Sequence, residues 1–153
     1  MVTKIQKLEA AETLFSVHGF DFLNKVVLPK KFNYANLKPS QVLMELRRVF
    51  AEAYMYDTRK IEIVSEVLSS KTVALHRDIT PNTIILNELY LGTNTVKEIA
   101  SSIMHEFIHV ADQTSIRGNF GHPTYIGWWN RGSANISAPY WFQKQFEAYL
   151  SVL

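Results

Sequence analysis

The chain has 153 residues, 47% of them apolar and 20% charged, with a formal net charge of +2. This length fits one domain able to bury a core of useful size, and so small a charge does not argue for nucleic acid by itself. No cysteine is present, so disulfides and thiolate-held metals are excluded, and a reducing compartment is the natural setting.

The opening stretch, MVTKIQKLEAAETLF, mixes charges into a helical pattern and lacks the apolar run of a signal peptide. No segment approaches the ~18 apolar residues of a membrane span. The expectation is a soluble, cytoplasmic protein with no membrane partner, or one held within a viral assembly. Ile5, Leu8, Leu14 and Val17 predict a short helix over 4–17, interrupted at Gly19. From Val26 to Pro39, prolines and asparagines predict an extended arm or one short strand. Lys30, Lys31 and Lys38, like Arg47, Arg48, Arg59 and Lys60, read as solvated surface. Ser40 is the expected N-cap of a helix over 40–56, in which Val42, Leu43, Leu46, Val49, Phe50, Ala53 and Tyr54 form one apolar face.

The character then changes. Residues 60–68 and 71–76 are β-branched and partly alternating, and Thr83-Ile84-Ile85-Leu86 follows a turn signal at 78–82. About three strands are expected, mostly antiparallel because the connections are short. After Gly118 the chain turns irregular and aromatic, and a final helix is expected over about 139–152. The fold class is α+β in a single domain: an N-terminal helix and arm over 1–39, a core over 40–130, and a C-terminal helix over 139–153.

Between these lies SIMHEFIHVAD, residues 102–112, which contains His-Glu-x-x-His. Thr95-Val96-Lys97-Glu98 has the form of a capping box and should start its helix. At ~100° per residue, with His105 at zero, His109 falls near about +40° and Asp112 near about −20°. Val96, Ile99, Ala100, Ile103, Phe107, Val110 and Ala111 take the opposite arc, giving an apolar back and a polar front. Imidazoles four residues apart are surface neighbours and can converge on one Zn²⁺. Glu106, displaced to the edge of the polar face, suits a carboxylate that takes a proton from a zinc-activated water.

A catalytic zinc needs a third protein ligand. Asp112 is on the correct face, though close to His109 on the same helix. His122 lies beyond a Gly118 turn that could fold the chain back across the polar face. Glu147 sits in the final helix, as in zinc peptidases whose third ligand is a later glutamate. His18 and His76 read as ordinary histidines. The aromatic residues Tyr125, Trp128, Trp129, Tyr140, Trp141 and Phe142 read chiefly as core. Tyr125 or Tyr140 could donate to a developing oxyanion.

The combination HEFIH (105–109), a dozen intervening residues and GHPTYIGWW (121–129) resembles the SprT-like zinc metallopeptidase domain. The strand Thr83–Asn87 and the helix over 40–56 are similar to the family's elements before the active-site helix. The resemblance spans about residues 40–130. It implies a zincin-like fold with Zn²⁺ as cofactor, His105, His109 and His122 as ligands, and Glu106 as catalytic base. The chain departs from the family pattern at Pro123, where a glycine is common, and lacks the cysteine-based ribbon that follows many such domains.

The leading expectation is a zinc metallopeptidase whose polypeptide substrate lies along an edge strand, taken as 83–87, by β-addition. A second reading is an assembly protein, for instance a phage particle component, in which zinc staples the fold and other proteins are the partners. A third is a DNA-associated protease, for which salt-sensitive nucleic-acid binding is the minimum requirement.

Overall fold

The computed structural model describes residues 2–116, 118–121 and 136–153. Helix α1 spans Lys4–Lys25, started by a capping box between Thr3 and Gln6. It runs well past the expected end at residue 17, straight through Gly19. Gly19 marks a close approach and does not break the helix: a Cβ there would stand 2.5 Å from a ring carbon of Phe50. Ala11, Phe15, Gly19, Phe22 and Leu23 form its buried stripe.

The arm that follows is irregular, with a turn at Tyr34 (φ 64°) and one isolated bridge from Asn33 to Ser137 in place of a strand, and it makes backbone contacts far along the chain. Asn33 N donates to Ile136 O at 3.1 Å, and Asn36 N donates to Asn119 O at 3.0 Å. Helix α2 spans Pro39–Tyr54, so Pro39 occupies the first helical position and Ser40 is not the cap. Proline's fixed φ and missing N–H suit that position. The backbone N–H of Lys38 is instead held by the Gln41 side chain at 2.9 Å. Val42, Leu43, Leu46, Val49 and Phe50 are buried, as the periodicity predicts.

Three strands follow: β1 (Glu62–Glu66), β2 (Ala74–His76) and β3 (Thr83–Asn87). Their order is β1-β3-β2, with β3 in the centre. The antiparallel expectation holds for β2 and β3, which pair Ala74 with Leu86 and His76 with Ile84. β1 pairs parallel to β3, Glu62 with Thr83 through Glu66 with Asn87, so the sheet is mixed. The short β1–β2 connection does not make those strands neighbours. It carries β2 past the place that β3 then fills, and β2 becomes part of the crossover that a parallel pair requires.

Asn87, only 1% exposed, fixes the end of the sheet. Its Oδ1 accepts from Leu68 N and Leu89 N, each at 3.1 Å, and its Nδ2 donates to Ser69 O and Thr72 O. One buried side chain thus caps the short helix α3 (Glu88–Leu91) and ties down the loop that leads into β2.

Helix α4 (Val96–Thr114) is the centre of the molecule, and α5 (Ala138–Ser151) packs along it. α4 also touches α1, α2, β2 and β3. The α+β class and the three strands agree with the sequence reading. Among the described residues no helix is long and apolar enough to cross a membrane.

Candidate active site

The capping box that starts α4 is present: Glu98 N donates to Thr95 Oγ1 at 3.1 Å, and Thr95 N donates to the Glu98 carboxylate at 2.9 Å. The helix differs from a simple two-faced one, because Met104 and Ile108 are as fully buried as its expected apolar back. The polar residues from Ser102 to Asp112 that carry the motif line a cleft. His105 and Glu106 are 8% and 5% exposed, and His109 is half-buried.

The cleft has a volume of ≈620 Å³. α4 supplies its floor with Ser102, His105, Glu106, His109 and Asp112. One wall is β2 with the loop before it, and the other is α5, through Tyr140 and Gln143.

The two motif histidines stand with ring centroids 5.2 Å apart. Two imidazoles bound to one zinc at ~2.0–2.1 Å place their centroids about 3.2 Å from the ion, hence about 5.2 Å from each other at a tetrahedral angle. The pair therefore fits a shared metal ion. The His105 Nδ1–H donates to Gln143 Oε1 at 2.9 Å, which makes Nε2 the nitrogen of this ring that could ligate a metal. Tyr140 meets the same ring edge to face, with centroids 4.6 Å apart.

Glu106 lies beside this nitrogen, its Oε1 3.9 Å from His105 Nε2, too far for a hydrogen bond. Burial raises its carboxyl pKa from 4.5 to about 8. Such a group holds and releases protons near neutrality, the range a general acid–base residue needs.

Asp112 accepts a hydrogen bond from Phe120 N at 2.7 Å. The chain after Gly118 thus folds back across α4, as the sequence reading anticipates. Gly121 sits so close that a Cβ there would be 2.8 Å from the Asp112 carboxylate and 3.4 Å from His109 Nδ1. This gives Asp112 the role of anchoring the turn beside His109.

Among the described residues no group of three metal-ligating side chains is assembled. His122, the third ligand implied by the resemblance, lies outside the described residues, as do Tyr125, Trp128 and Trp129. The chain nevertheless reaches Gly121, its immediate neighbour, in contact with His109. Glu147 is exposed and does not line the cleft; the α5 residue that does is Gln143, one turn earlier.

Two cleft residues escape the sequence reading. His76, read as ordinary, stands on β2 with its ring stacked parallel to His109 at 6.4 Å. Its Nε2 bonds to Pro81 O at 2.7 Å, so this nitrogen carries the proton and is not available to a metal. The alternation of residues 71–76 places it on a strand, but only the sheet order reveals which cleft that strand borders. Gln143 is the other, and no motif announces it. Trp141 and Phe142 pack on Phe32, as the core reading expects.

Comparison of the chain with family models, with curated proteins and with solved structures gave no match. The resemblance to SprT-like peptidases therefore stands on residues 83–87, 105–109 and 121–129, and the chemistry of the cleft on its own geometry.

Proposed function

We propose that this protein is a zinc-dependent metallopeptidase in which Glu106 is the general base. The observation that carries the reading is the His105–His109 pair, at the separation of ligands to one ion and beside a buried carboxyl, on the floor of an open cleft. His105 and His109 would hold the metal, with His122 the expected third ligand. Zinc held there supplies a Lewis acid that acidifies water and polarises a substrate carbonyl.

The residues of the chain do the rest. Glu106 takes the proton from the attacking water and delivers it to the departing amine. Tyr140 stands against His105 and lines the cleft, which supports it as a donor to the developing oxyanion. The substrate edge is β2 and not 83–87, because β3 is the central strand, paired on both sides. Among the described residues β2 pairs with β3 alone and borders the cleft, so an extended peptide can add to its other edge.

A zinc that only staples an assembly subunit would need four protein donors and no open position. The open cleft supports the catalytic reading. The test is Glu106→Gln, which should keep zinc and lose about 10²–10⁴-fold of peptide-bond cleavage. Equal cleavage by wild type and variant would overturn the assignment.

A further inference from the structure

We propose that Gln143 is the positioning residue of this site, fixing the tautomer of His105 so that one of the two histidines is a ready ligand before an ion arrives. The inference rests on the zinc reading above. Histidine can ligate through Nε2 only when its proton is on Nδ1, and which nitrogen carries it is set by the hydrogen bond the other makes. An amide oxygen accepts and never donates. With Gln143 Oε1 2.9 Å from His105 Nδ1, the proton is held on Nδ1 and the ring's lone pair is on Nε2.

The support is built into α5. Phe142 and Phe146, both fully buried, bracket Gln143 in sequence and seat its helix on the core, which sets where the side chain starts. Tyr140, three residues earlier, packs T-shaped against the same ring. His105 is 8% exposed, so water is a poor substitute for a lost acceptor.

The experiment has two readouts. Zinc binding is titrated calorimetrically at about pH 8, above the ordinary histidine pKa, for wild type, His105→Ala, Gln143→Leu and Gln143→Glu. The tautomer of His105 is read by ¹⁵N NMR in the metal-free proteins. Wild type should bind zinc and show the Nδ1–H form. Gln143→Leu should bind about 10–100-fold more weakly and shift towards Nε2–H. Gln143→Glu, which keeps an acceptor, should restore the tautomer and stay closer to wild type. Gln143→Leu with unchanged affinity and tautomer would overturn the role of Gln143 and leave the metal reading standing. His105→Ala binding zinc as well as wild type would overturn the metal reading itself. If Gln143→Leu does not fold, the wild-type tautomer decides: an Nε2–H form overturns the proposal.

Discussion

Glu106 holds an acid where water is nearly excluded, and its proton is therefore coupled to folding. Its carboxyl pKa is raised from 4.5 to about 8, so between these values the folded chain binds a proton that the unfolded chain has released. Stability falls with rising pH wherever the native state holds more protons. In the metal-free protein, this contribution should be whole below about pH 4.5 and be lost as pH rises through about 8. The loss should amount to a few kcal/mol. Glu106→Gln should flatten that part of the profile, measured by denaturant unfolding in the presence of a chelator. An identical pH slope in wild type and variant would show that Glu106 is not the group responsible.

At the level of elements, two side chains decide how the pieces meet. Gly19→Ala improves local helix propensity by about 1 kcal/mol, yet its Cβ would lie 2.5 Å from the buried ring of Phe50. Overpacking should win, with a net destabilisation of about 1–3 kcal/mol. Adding Phe50→Leu should recover part of it, a coupling that thermal melts of the double variant would detect. Asn87→Ala should cost about 1–3 kcal/mol, because it removes the buried side chain that holds the half-buried or exposed backbone groups of Leu68, Ser69 and Thr72. A melting temperature unchanged from wild type would show that water replaces those bonds. The capped helix at Thr95, the apolar face of α2 and the three strands were legible because caps and periodicity are local. The meaning of Gly19 was not, since it depends on a residue 31 positions away that only the packing brings close. Nor was the strand order, because loop length limits which strands can be adjacent without stating which are. The motif pair was readable for the local reason that four residues make about one helical turn. Gln143, 38 positions from His105, had no local signal to carry it.

Across the whole molecule, α4 joins every layer, from α1 and α2 to β2, β3 and α5. The cleft lies where the sheet edge and α5 part over this helix. The arm after α1 holds the backbone at Asn119 and at Ile136, so two described positions late in the chain are tied to its N-terminal third.

The burial of α4 also bears on self-digestion. A peptide bond is cut only when its chain can be drawn out as an extended strand, and a helix packed on nearly every side opens only as the whole domain does. On the proposed function, copies at high concentration would meet one another as substrates, and the motif residues would sit in a segment poorly available to a twin's cleft. The irregular stretch 26–31, which has no helix to unwind, is where copies of the proposed peptidase would nick each other first.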